Sequence, residues 1–206
     1  LLGGSGYDYM SGGPGHDLLL GGDGNDYLSD YEGVNTLRGG LGNDALYGGS
    51  NVYSTLGGGL LDGGEGADTL NVHGASPITL TGGTGNDLDN LIIGNSADNL
   101  ITGGAGNDLL LGSLDSGADG GDDIFLFNRA DGADEIWVSD GKSGQYADAG
   151  NETLRFGTNI ALTDLDLERS DADLILSLRG SSDQVTLTNW FTDTNRLDAI
   201  EFTDDS

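Results

Sequence analysis

Seven aspartates in this chain close the same six-residue phrase. Asp8, Asp17, Asp26, Asp44, Asp68, Asp87 and Asp108 each end a run of the form GGxGxD. Gly21, Gly22 and Gly24, ahead of Asp26, permit backbone angles that other residues resist. The run therefore reads as a tight turn that leaves main-chain carbonyls bare. The same holds for Gly39, Gly40 and Gly42, for Gly63, Gly64 and Gly66, for Gly82, Gly83 and Gly85, and for Gly103, Gly104 and Gly106. A carboxylate beside bare carbonyls is an all-oxygen donor set, the kind a hard cation takes.

Other chemistries find little support. Of the two histidines, His16 fills a variable turn position beside Asp17 and His73 opens a degenerate repeat. Neither has an evident partner, and no GxSxG elbow or HExxH helix is present. The chain is read as carrying no catalytic residue. It has no cysteine, hence no disulfide and no thiolate metal site. Acids number 35 against seven basic residues, a net charge of −28, which argues against nucleic acid and for cations. No apolar run approaches the roughly 18 residues that span a bilayer. The sequence opens in mid-pattern without an initiator Met or a signal-peptide layout, so it is expected to belong to something longer.

The turns need elements to hold them. After each GGxGxD come about three residues, too few for a helix and suited to a brief strand. From Gly3 the chain repeats with a nine-residue period, interrupted by an insertion at 48–53, one extra residue at Val72 and a lengthened copy after Gly82. The eighth position of each copy holds Met10, Leu19, Leu28, Leu37, Leu46, Leu61, Leu70, Leu80, Ile92, Ile101 and Leu110. One inward apolar residue per short strand builds a ladder that only stacking can bury. Two copies then make one coil, giving two thin parallel sheets joined by glycine turns along both edges.

GGxGxDxUx, with U apolar, resembles the nonapeptide of RTX (repeats-in-toxin) haemolysin-type calcium-binding proteins. Seven copies match, beginning at Gly3, Gly12, Gly21, Gly39, Gly63, Gly82 and Gly103. The resemblance implies an all-β fold with a parallel β-roll, here residues 1–119, that holds several Ca²⁺ ions between successive turns. Its ligands would be the aspartates and turn glycines named above. Charge repulsion supports the same reading. Stacked strands bring equivalent acids to about 5 Å, where neighbouring charges repel by roughly 3 kcal/mol at an effective dielectric near 20.

Past Gly120 the glycines thin out, and alternating segments such as DDIFLF, DEIWV, ETLRF, DLILSL and DAIEF appear. They suggest a small antiparallel β domain over residues 120–206. The stretch from ETLRF onward, with DLILSL, NWF and IEF, is similar to the haemolysin-type calcium-binding-protein-related domain, which implies a cap on the open end of the roll. Phe125, Phe127, Trp137, Phe156, Trp190 and Phe202 are read as its core. Asp115, Asp119, Asp122 and Asp123 at the junction are either a further ion site or a solvated linker.

Because each copy makes half a coil, alternate copies turn on opposite edges. One edge carries Asp8, Asp26, Asp44, Asp68, Asp87 and Asp108 at the sixth turn position; the other carries Asp17, Asn35, Gly59, Ile78 and Asn99. A one-sided column is expected, with up to about five ions on the first edge and at most about one or two on the second, near Asp17. The family resemblance further implies secretion by the type I apparatus of a Gram-negative bacterium, and calcium-dependent folding outside the cell as part of a toxin, hydrolase or adhesin. A glycan-binding patch at Tyr7, Tyr9, Tyr27 and Tyr31 is the alternative reading.

Overall fold

The computed structural model describes residues 1–49, 59–73, 77–83, 87–113, 121–137, 150–192 and 197–203. The strands in them are β1 (Leu2–Ser5), β2 (Tyr9–Ser11), β3 (Leu18–Asp23), β4 (Tyr27–Ser29), β5 (Thr36–Leu41), β6 (Ala45–Gly49), β7 (Leu60–Glu65), β8 (Thr69–His73), β9 (Ile78–Thr81) and β10 (Leu91–Ile93). They continue as β11 (Asn99–Thr102), β12 (Leu109–Leu111), β13 (Ile124–Phe127), β14 (Ala133–Trp137), β15 (Thr153–Phe156), β16 (Leu165–Ser170), β17 (Asp173–Leu178), β18 (Gln184–Leu187) and β19 (Ala199–Phe202).

Odd-numbered strands from β1 to β15, then β19, form one sheet. Even-numbered strands from β2 to β14, then β18, β17 and β16, form the other. Within the repeats every pairing is parallel and matches equivalent positions, as in Met10 opposite Leu28, Leu28 opposite Leu46 and Leu19 opposite Leu37. Each copy thus lies in the sheet opposite its predecessor's. The chain is a two-sheet parallel roll.

Strand alternation explains the core. In β4 the burial runs intermediate, buried, intermediate over Tyr27, Leu28 and Ser29, with one side chain turned inward. All eleven eighth-position residues are buried, Met10 least and most of the others wholly. The file continues past the repeats through Phe125, Ile136 and Leu154.

The C-terminal half departs from expectation in its pairing. Antiparallel contacts occur at β16–β17 and β17–β18. The segments DDIFLF, DEIWV, ETLRF and DAIEF supply β13, β14, β15 and β19, and each pairs parallel with a strand before it. Their alternation was legible, but alternation does not encode direction. A strand laid beside the open edge of a parallel sheet takes that sheet's direction when the connection crosses over. Phe125, Phe127 and Phe156 are core, and Phe202 and Trp190 pack against it. Trp137 does not: the residue is 39% exposed, and its Nε1 donates to Glu135 Oε1 at 2.7 Å. It occupies an outward place on β14.

No helix among the described residues is long and apolar enough to cross a membrane. Leu18 and Leu19 are adjacent in β3 yet 50% and 0% exposed. Leu19→Ala is expected to cost about 2–5 kcal/mol of unfolding free energy in calcium, against about 0.5 kcal/mol for Leu18→Ala. Denaturant titration of the two variants checks this, and equal losses would contradict the assigned faces.

Candidate metal centre

The edge that joins odd-numbered to even-numbered strands carries a column of side chains at the sixth turn position. The Asp8 N–H donates to Asp26 Oδ1, Asp26 N–H to Asp44 Oδ1, and Asp44 N–H to Asp68 Oδ1, at 2.7–2.9 Å. The column continues from Asp68 to Asn90, from Asn90 to Asp108 and from Asp108 to Asp134. From Asp26 onward, one side-chain oxygen at each step therefore staples two coils together. The other, Oδ2 of Asp8, Asp26, Asp44, Asp68, Asp108 and Asp134, is buried without a hydrogen-bond partner.

The glycines make room for those oxygens. A Cβ on Gly3, Gly21, Gly39, Gly63 or Gly103 would overlap Oδ2 of the aspartate that closes its own turn. At Gly21 and Gly39 it would also meet the carbonyl oxygen of the next coil's first glycine, Gly39 or Gly63. Carboxylate and carbonyl oxygens crowd one place with no donor between them. Gly22 has φ of 118°, and a Cβ there would strike the Gly4 carbonyl, so both conformation and space demand glycine. Gly40, Gly64, Gly83 and Gly104 repeat this arrangement, and Gly24, Gly42, Gly66 and Gly106 share the positive φ. Gly85 lies outside the described residues.

No three acidic side chains converge to hold a metal among the described residues. Each interval between coils offers at most two sixth-position carboxylates, so main-chain carbonyls must complete any shell, a mix that suits calcium. These residues fit Ca²⁺. Its chemistry here would be charge neutralisation of buried oxygens, with the chain's own residues supplying the cradle.

Unneutralised, four carboxyls of the column, Asp44, Asp68, Asp108 and Asp134, resist ionisation. Burial chiefly, with repulsion from Asp68 and Asp26, pushes Asp44 up to about 7, although the Asp26 N–H opposes it. Burial likewise raises Asp68 to about 6 and Asp108 to about 6. Asp134 rises to about 8, through burial first and then its neighbours Asp108, Asp131 and Asp183.

One predicted ligand is misplaced. Asn90, not Asp87, takes the sixth position in the lengthened copy; Asp87 is exposed. Leu91 and Ile92 pair with Thr69 and Leu70, which fixes the register and shifts the turn's end by three residues. The column is thus interrupted by an amide. It also reaches beyond the repeats to Asp134, in a turn whose glycine-like second position is Ala130 at φ 67°. Gly106 bridges Gly132 there, and Gly106 N–H donates to the Asp131 carbonyl as Gly6 does to Asp23. The signal, AxGxD at 130–134 with one glycine, is too sparse to read without its neighbours.

The opposite edge follows the expected order. Asp17 N–H donates to Asn35 Oδ1, Gly59 and Ile78 follow in register, and Asn99 N–H donates to Asp123 Oδ1. Asp123 and then Glu152 restore acids at its far end. Asp122 is exposed one position earlier, and Asp115 and Asp119 lie outside the described residues. A second ladder uses the fifth position: Asn43 N–H donates to Asn25 Oδ1, and Val34 N–H to His16 Nδ1. His16 therefore has a turn role that the sequence reading missed. Among the tyrosines, Tyr9, Tyr27 and Tyr47 stack at 4.8 and 5.1 Å, so both faces of Tyr27 are covered by protein.

Residues 1–28, 30–51 and 84–117 match the RTX calcium-binding nonapeptide repeat, four copies. Residues 173–204 match the haemolysin-type calcium binding protein related domain. No curated protein matches the chain. A crystal structure of the extracellular lipase LipA from Serratia marcescens aligns at 22% identity and a TM-score of 0.31, over 96% of this chain and 38% of that one. The chain spans less than two fifths of that enzyme.

Two outcomes follow. Asp44, Asp68, Asp108 and Asp134 have raised folded values, so their contribution to metal-free stability is full below about pH 4 and lost as pH rises through about 6 to 8. In EDTA the β signal in circular dichroism should therefore grow as pH falls from 8 to 5; a flat profile contradicts the burial of this column. Asn90→Asp should tighten calcium binding severalfold in calorimetry by adding a carboxylate to two intervals, while Asp87→Asn leaves the isotherm unchanged.

Proposed function

We propose that this chain, an RTX calcium-binding repeat module with a haemolysin-type calcium-binding-related segment at its C-terminal side, is a calcium-driven folding device of an exported protein. The observation that carries the reading is the column of buried Oδ2 atoms without hydrogen-bond partners, threaded through consecutive coils. Most ions are assigned to that edge, between the turns that begin at Gly3 and the turn that ends at Asp134. Intervals flanked by two carboxylates are Asp8/Asp26, Asp26/Asp44, Asp44/Asp68 and Asp108/Asp134, and those touching Asn90 are weaker. On the other edge one or two ions sit near Asp17.

The energetics are sufficient. With about five sites each filled at ten times Kd, linkage contributes about 1.4 kcal/mol per ion, or roughly 7 kcal/mol together. That rivals the stability of an ordinary domain, about 5–15 kcal/mol. In a calcium-poor cytosol this contribution vanishes, so the chain stays extended enough to thread a type I secretion channel of a Gram-negative cell. Outside, calcium restores it. The ion-dependent roll is assigned to residues 1–119 together with the turn that ends at Asp134, and the remainder of 120–206 to closing it. The chain itself is assigned no catalysis; a hydrolase, toxin or adhesin activity is assigned to the rest of the parent protein. A glycan-binding face is the second reading, favoured by the 71% exposure of Tyr7 and Tyr9 and weakened by the stacking that covers Tyr27.

Circular dichroism at neutral pH decides the main reading. The chain is expected to be largely unfolded in EDTA and β-rich at millimolar calcium. A full β spectrum that survives EDTA would overturn it.

A further inference from the structure

The repeat that begins at residue 30 reads DYEGVN, with Asp30 and Tyr31 where other copies have two glycines. A polar side chain replaces the smallest residue at the most crowded seat of the turn. Asp30 is nevertheless 2% exposed. Its backbone keeps the coil-to-coil bond, donating to the Tyr47 carbonyl at 2.9 Å. The chain has absorbed the substitution without expelling the side chain.

The Asp30 carboxylate is aimed at the preceding coil. Its Oδ1 accepts from the Glu32 N–H at 3.3 Å, while Oδ2 is buried with no hydrogen-bond partner. That Oδ2 lies against Gly12, where a Cβ would overlap it, and the Asp17 Cβ is 2.9 Å from the same point. Asp17 Oδ2 is also buried without a partner. Two carboxylates thus face one interval, between turns 12–17 and 30–35.

The pairing compensates for a loss. On the other edge, an interval such as Asp8/Asp26 draws both carboxylates from sixth positions. Here the second sixth position is Asn35, whose Oδ1 still accepts from the Asp17 N–H at 2.9 Å but carries no charge. Asp17 alone would leave this interval one carboxylate short.

We propose that Asp30 is a metal-binding residue which, with Asp17 and turn carbonyls, completes a divalent-cation site between the coils at 12–17 and 30–35, restoring from a glycine position the charge that Asn35 lacks. This rests on the calcium reading above and assigns to it a ligand that the repeat pattern does not contain. Any larger residue at Gly12 would fill the same space.

The test exploits the pattern. Asp30→Gly makes the copy more regular, so if Asp30 were only a tolerated irregularity, the variant would keep every ion and gain order. The site predicts the opposite: calcium counted by native mass spectrometry on the calcium-loaded full chain falls by one. Asp30→Asn, which keeps the shape, and Asp17→Asn should each lose the same single ion, and the Asp17/Asp30 double variant no more than one. An unchanged count in Asp30→Gly and Asp30→Asn, with Asp44→Asn losing calcium, overturns this site and leaves the column on the other edge standing. A wild-type chain that binds no calcium overturns the broader reading instead.

Discussion

Like charges buried in single file govern this structure. Parallel pairing fixes the spacing between coils, and a nine-residue half-coil puts an aspartate at nearly every one of those steps along one edge. Ionised and dry, such a file opposes the leucine ladder it is built on. After Asp8, main-chain N–H groups satisfy one oxygen of each carboxylate. The second is left facing the glycines, and its neutralisation decides whether apolar burial suffices to hold the coils. Protons and divalent cations are alternative answers to the same electrostatic problem, so under the proposed function acidity and calcium would act on one set of side chains.

That constraint explains the asymmetry of the two edges. Where the carboxylates line up, the connections are short and alike, except in the copy after Gly82 and in the turn that ends at Asp134. The opposite edge, which presents Gly59 and Ile78 in mid-column, carries the long connections β6–β7, β12–β13 and β14–β15. Turns bonded to one another through their sixth-position side chains have less freedom to change length than turns that share only a leucine ladder.

The far end is closed by a change of strand direction within the same sheet. β18 joins β14 in parallel, then β17 and β16 fold back as antiparallel strands. β16 exposes nearly every side chain after Leu165 and carries Asp166, Glu168 and Arg169, with Asp166 bound by Arg179. A charged, exposed edge strand offers poor purchase for further pairing. Phe127, Phe156 and Phe202 meet in the other sheet's end, replacing the thin leucine rung with aromatic bulk.

The period, the eleven inward residues and the alternation of edges were all legible in the sequence, because a nine-residue repeat with one apolar place admits only one way of burying that place. The register of the sixth position was legible for the same reason wherever copies had equal length, from Asp8 to Asp68 and at Asp17, Asn35 and Asn99; at Gly59 and Ile78 it was recovered only by setting the inserted residues aside. Tertiary structure alone decided the rest. It put Asn90 in place of Asp87, since a lengthened loop contains several polar residues and only the pairing of Ile92 with Leu70 selects among them. It extended the column to Asp134 and turned Asp30 inward, because neither residue sits in a recognisable phrase and both owe their position to the coil before them. It also made β13, β14, β15 and β19 parallel, since strand direction depends on the neighbour a strand finds and not on its own pattern of side chains.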